Sequence, residues 1–194
     1  MSSIIVELLR RNYLATNKLI MLLQAGSHLT QGKETLGEIC QIIPVTYHAP
    51  ILASCVNIRS YLEKHASIDE LPAPVSEIVQ LVFQKIEDEL THTFKKETGI
   101  IFPFIQQQFT KDKIAIQPKV VETMLHTHEL LIELLQKMRQ LMHHYITHPS
   151  WPQSLKSCVN EMFQMETDVL RWIHFEQSSL YPRLTNQHTT PDHA

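Results

Sequence analysis

Apolar residues recur at intervals of three and four along most of this chain, most clearly at Val75, Ile78, Val79, Val82, Phe83, Ile86 and Leu90. That spacing lines one face of a helix with 3.6 residues per turn, and no two-residue alternation between turn signals competes with it. Leu, Ile, Gln and Glu are abundant, which reinforces the helical reading. Only four glycines occur, at Gly26, Gly32, Gly37 and Gly99. Phosphate-cradling loops of the G-x-G-x-x-G or G-x-x-x-x-G-K kind therefore cannot be built, and the nucleotide enzymes that depend on them are excluded. The expected fold class is all-α.

Breaks in the periodic stretches set the organisation. A first amphipathic helix is expected over about residues 3–24, with Ile4, Leu8, Leu9, Leu19, Leu22 and Leu23 on its apolar side and Gly26 ending it. Residues 34–42 read as a short helix stopped by Pro44, after which a helix starts near Tyr47 and runs to about Ala66, with Pro50 in its first turn. A loop with two prolines precedes a long helix over about 75–107 that Pro103 bends or interrupts. Pro118 suits the first position of a helix reaching about Ile146, and the last helix covers about 153–183. Four long helices joined by short loops make an antiparallel up-down-up-down four-helix bundle the expected architecture. The domain reading is an N-terminal helical extension over 1–45 that caps the bundle or mediates self-association, the bundle over 46–185, and a flexible polar tail over 186–194.

Composition narrows the partners. With 43% hydrophobic and 19% charged residues and a formal net charge of -3, the chain has a globular composition and no electrostatic footprint for nucleic acid. No apolar run approaches the roughly 20 residues that span a bilayer, and the start lacks the pattern of a secretory signal, so a cytoplasmic location and no membrane partner are expected. Cys40, Cys55 and Cys158 are widely spaced without a C-x-x-C pair, so they read as buried free thiols.

Two segments echo each other. Glu97-Thr-Gly-Ile-Ile-Phe102-Pro103 and Glu176-Gln-Ser-Ser-Leu-Tyr181-Pro182 each place a carboxylate five residues before an aromatic-proline pair, with His92 and His174 shortly upstream. In an antiparallel bundle the late positions of helices two and four lie beside the early positions of helices one and three. His48 and His128 are early, whereas His92, Glu97, His174 and Glu176 are late, so all six can converge as candidate metal ligands. Phe102 and Tyr181 read as core plugs at that end. His65 suits a helix C-terminus, and His126, His143, His144 and His148 read as surface residues.

These segments resemble the hemerythrin-like, HHE cation-binding bundles, especially the di-iron proteins that repair iron-sulfur centres. The resemblance runs over about 46–184 and is carried by Tyr47-His48, Glu89-Leu-Thr-His92 through Phe102-Pro103, Pro118 with Met124 and His128, and Ile173-His174-Phe-Glu176 through Leu184. It implies a four-helix bundle holding non-haem iron, up to a carboxylate-bridged binuclear centre. The implied uses are oxygen binding, sensing of iron, oxygen or nitrosative stress, and delivery of iron to damaged clusters, with iron-sulfur proteins as partners. In the family the second and fourth helices carry H-x-x-x-E, but the positions four before Glu97 and Glu176 are Thr93 and Trp172 here. His92 lies five residues before Glu97, about 140° around an ideal helix, and His174 two before Glu176, about 200°. A π-bulge between His92 and Gly99 would bring His92 back toward Glu97, whereas Trp172 would fill the cavity with indole. A mononuclear site on His48, His128 and one glutamate is the intermediate case.

Other readings of the same residues are weaker. A ferritin-like centre requires two E-x-x-H motifs and only Glu89-x-x-His92 qualifies; H-E-x-x-H is absent, as is a nucleophile in a recognisable setting. The expected function is metal binding rather than that of a conventional enzyme. The alternative is a bundle that lost its metal and serves as a protein-interaction or regulatory module.

Overall fold

The structure is a computed structural model that describes residues 34–65, 68–109 and 116–185. The helix expected over 3–24 and the tail expected over 186–194 lie outside the described residues. Among the described residues there is no strand, and four long helices make up the fold.

Helix α1 begins at Leu36 behind a reciprocal cap, in which Glu38 N–H donates to Thr35 Oγ1 at 3.2 Å and Thr35 N–H donates to Glu38 Oε2 at 2.7 Å. The break expected at Pro44 does not occur. The α-helix Leu36–Ile43 continues through a π-turn, Pro44–His48, into a second α-helical segment, Ala49–Lys64. A proline lacks an N–H and crowds the carbonyl four residues back; for Pro50 that carbonyl belongs to Thr46, inside the widened turn in which Ala49 N–H bonds the Pro44 carbonyl. The short helix assigned to the N-terminal extension is thus continuous with the first bundle helix. Uninterrupted, α1 is long and apolar enough, by length and composition, to cross a membrane. Reading it as two pieces concealed this. Its Ile39, Ile43, Ile51 and Ile58 lie fully buried in the bundle core.

Helix α2 comprises Ala73–Lys96, a π-turn over Glu97–Ile101 and the α-helical segment Phe102–Phe109. Pro103 therefore interrupts the regular ladder as expected, and the interruption has a defined form. Helix α3, Pro118–Leu141, opens on its proline and stops short of Ile146. It stops because His143, His144 and Tyr145 all have positive φ, at 48°, 58° and 60°, which reverses the chain sense within three residues. Helix α4 comprises Gln153–Phe175, a third π-turn over Glu176–Leu180 and Tyr181–Thr185.

α1 packs against α4 and α2, and α3 packs against α2 and α4, which closes the expected antiparallel ring. Ile58, Ile86, Leu131 and Met165 are fully buried along its axis. A partly buried ion pair between Arg139 and Glu166 ties α3 to α4, and the Arg183 guanidinium donates to the Glu34 carbonyl, joining the end of α4 to the residues just before α1. Cys40, Cys55 and Cys158 are buried free thiols. Leu131 makes no contact with solvent, so Leu131→Ala should lower unfolding free energy by about 2–5 kcal/mol, read as an earlier midpoint in urea with unchanged slope.

Candidate metal centre

Each π-turn ends two residues before a proline, Pro50, Pro103 or Pro182, and each carries a buried ionisable residue at one end: His48, Glu97 or Glu176. The first residue of each turn accepts a hydrogen bond from the residue five positions on, so that Phe102 N–H reaches the Glu97 carbonyl and Tyr181 N–H the Glu176 carbonyl. Widening brings residue i+5 over residue i. This accounts for the five-residue interval between carboxylate and aromatic in the two echoing segments. In an α-helix those side chains would diverge by about 140°; here Tyr181 folds back and its hydroxyl donates to Glu176 Oε2 at 2.7 Å.

His48, Glu97 and Glu176 come from three helices, and each offers a ligand atom within 4.8 Å of the others. Glu97 and Glu176 are 0% exposed. His48 Nε2 lies 2.9 Å from Glu97 Oε2, and His128 Nε2 lies 3.3 Å from Glu176 Oε2. The His48–Glu97 contact has the distance of an ion pair, yet neither atom is in hydrogen-bond geometry. Burial outweighs their mutual attraction. It pushes the His48 imidazole down to about 4, and it holds the Glu97 carboxyl well above its ordinary range, with the neighbouring Glu176 adding to the effect. Burial and the same two carboxylates raise the Tyr181 phenol and push the Cys40 thiol up to about 12.

Several buried polar atoms here have no hydrogen-bond partner: both ring nitrogens of His48, both oxygens of Glu97, Oε1 of Glu176 and Nδ1 of His128. Buried polar atoms are nearly always paired, so a concentration of orphans at the meeting point of three helices calls for something to satisfy them. A cation fits the donor set, because imidazole nitrogen and carboxylate oxygen are ligands for iron, zinc and manganese. A small cleft, partly open to solvent, is lined by Glu97, Glu176 and Tyr181 with Ile101, Met124 and Leu180.

Four of the six candidate ligands expected from the sequence, His48, Glu97, His128 and Glu176, are therefore brought together. The other two are not: His92 and His174 are exposed to solvent. The π-turn expected to rescue His92 exists, but it begins at Glu97. A register shift downstream of Glu97 re-aims Phe102 and leaves the angle between His92 and Glu97 unchanged. His174 stays on the outer face because the segment Gln153–Phe175 is regular α-helix. The family ligand positions are held by Thr93 and Trp172, both buried. The Trp172 indole stands edge-on to His128 at 4.8 Å and to Phe94 at 4.9 Å, and Phe94 stacks on His48 at 3.8 Å, so aromatic carbon fills the space beside the ligands. Tyr181 was read as a core plug and is instead a polar member of the site. The interval Glu176-x-x-x-x-Tyr181 was the available signal, and only a widened turn makes it meaningful.

Two opposed pH dependences follow for cation-free protein. The depressed His48 value means that the unfolded chain binds a proton more readily, so this contribution is fully present above about pH 6.5 and is lost as pH falls toward 4. The raised Glu97 value acts in reverse: its contribution is present below the ordinary 4.5 and is lost as pH rises through the folded-state value. Glu97→Gln removes the second loss while keeping the shape. Chelator-treated Glu97→Gln should be more stable than the parent at pH 7.5, on the order of 1–4 kcal/mol; a urea midpoint at or below the parent's contradicts this account.

Hemerythrin HHE cation binding domain is the family whose model matches residues 45–184, well over half of the chain. No curated protein matches it. The match spans all three π-turns apart from the first residue of the first, and with them the buried imidazoles and carboxylates. By that match and by its helical bundle, the chain belongs to the hemerythrin HHE cation-binding domain family.

Proposed function

We propose that this protein binds a single non-haem metal ion, with iron as the physiological metal, through His48, Glu97 and Glu176. The observation that carries this reading is the concentration of unpartnered, fully buried donor atoms from three helices within 4.8 Å of one another. Two fully buried carboxylates, Glu97 with its proton affinity raised by burial and by its neighbour, cost the fold stability unless a positive charge compensates them. A divalent ion with two carboxylates is electroneutral, which suits a site enclosed by Phe94, Phe102 and Trp172.

The roles of the chain's own groups follow from their positions. His48 presents neutral Nε2, the form that binds a metal, because burial keeps it unprotonated at physiological pH. Tyr181 donates to one oxygen of Glu176 and leaves the other without a protein partner, so that carboxylate is oriented before any ion arrives. Trp172 and Phe94 exclude water and occupy the side of the site where further imidazoles would enter. A bound iron supplies one-electron chemistry and affinity for small diatomic ligands. With one ion rather than the binuclear centre, the reading is a role in sensing iron, oxygen or nitrosative stress, or in supplying iron to damaged iron-sulfur proteins.

Protein purified without a histidine tag and loaded anaerobically with ferrous iron should hold about one iron per chain by elemental analysis. The double variant His48→Ala with Glu97→Ala should hold less than about a tenth of that while keeping its helical circular dichroism. About two irons per chain would instead favour a binuclear centre, and none would leave the bundle as a metal-free interaction module.

A further inference from the structure

We propose that Tyr181 is itself a metal ligand, whose phenolate oxygen, with Nε2 of His128 and Oε2 of Glu176, forms a three-donor face selective for ferric over ferrous iron. The proposal rests on the preceding reading that Glu176 holds an iron ion, and it extends that reading to a donor of a different chemical class.

The first argument is geometric. Two donors each about 2.0–2.2 Å from one ion, at angles between octahedral and tetrahedral, lie about 2.8–3.6 Å apart. Two edges of this triangle lie within that range, 3.3 Å between His128 and Glu176 and 3.4 Å between Tyr181 and His128, and the third, the 2.7 Å hydrogen bond between Tyr181 and Glu176, falls just short of it. An ordinary hydrogen-bonded pair needs only one such edge; three together describe the face of a coordination polyhedron. His128 and Glu176 are 0% exposed and Tyr181 is 6% exposed, so the donors belong to the interior rather than to a mobile surface.

The second argument is charge. Burying a net charge is expensive, so a dry centre favours the ligand set that neutralises its ion. Glu97 and Glu176 balance a divalent ion, with Tyr181 left as a neutral phenol donating to Glu176. A trivalent ion needs a third anion, and among the groups touching Glu176 the Tyr181 phenol is the one able to become it. The step is a ligand exchange. The Tyr181 O–H bond breaks, an iron–oxygen bond forms, the proton leaves to water through the pocket, and no electron moves.

The third argument comes from the backbone. The π-turn over Glu176–Leu180 brings Tyr181 over Glu176, and Pro182 gives that widened turn a covalent cause. A tyrosine placed only to fill space would not need its hydroxyl against a buried carboxylate and a buried imidazole.

The test loads native-length protein anaerobically with ferrous iron in one sample and with ferric citrate in another. Ferric wild type should show a visible phenolate-to-iron charge-transfer band with tyrosine ring modes enhanced in resonance Raman; ferrous wild type should be colourless. Tyr181→Phe should lose the band and lose at least about tenfold more affinity for ferric than for ferrous iron. The Raman measurement on wild type needs no variant and decides the matter even if Tyr181→Phe folds poorly. Ferric wild type that holds iron without phenolate modes, or a band that survives in Tyr181→Phe, overturns the assignment of Tyr181 while leaving the iron site. Failure to take up iron in either oxidation state removes the site of the preceding subsection, and this ligand with it.

Discussion

Two carboxylates held in the interior with three of their four oxygens unpaired, the fourth accepting from the Tyr181 hydroxyl, are the constraint around which this bundle is organised. Glu97 and Glu176 are fully enclosed, and Glu97 is pushed toward its neutral form by burial and by its neighbour. Nothing in helix packing asks for such an arrangement; leucine at both positions would give a more stable bundle. The fold tolerates it because the opposite stretch of the core is conventional, with Ile58, Ile86, Leu131 and Leu135 packed at full burial. One end of the molecule carries the stability, and the other carries a cost that a cation would offset.

The device that delivers these side chains is the proline-terminated π-turn, used three times. A regular α-helix repeats the same direction only approximately every fourth residue, so it cannot aim a carboxylate and the side chain five positions later at one point. Inserting one residue into a turn does so. Proline makes the insertion favourable, because its ring crowds the regular path and its missing N–H leaves no bond to break. The carboxylates sit at the start of their turns and His48 at the end of its own, and this offset lets helices running in opposite directions meet at one level of the bundle.

Trp172 defines the character of the centre. Where the family pattern would have an imidazole, an indole stands edge-on to His128 and Phe94, and Thr93 occupies the equivalent place on α2. The volume of the indole and its weak ability to coordinate shift the donor set from imidazole toward oxygen. What remains buried around the centre is two imidazoles, two carboxylates and a tyrosine hydroxyl, richer in oxygen than a five-histidine set would be.

The all-α class, the number of long helices and the end of the bundle at which ligands gather were legible from the spacing of Val79, Val82, Ile86 and Leu90, from the short loops and from the two echoing segments. His48, Glu97, His128 and Glu176 were legible for the same reason: position along an antiparallel rod predicts height in the bundle. What the chain alone could not decide was direction around each helix. His92 and His174 lie at the right height and point outward, Pro44 opens a widened turn instead of ending a helix, and Tyr181 turns inward. Each outcome depends on where one extra residue is absorbed into a turn. Several registers are locally close in energy, and the packing of three other helices selects among them. Height along the bundle was thus set by residue order, and azimuth by tertiary contact.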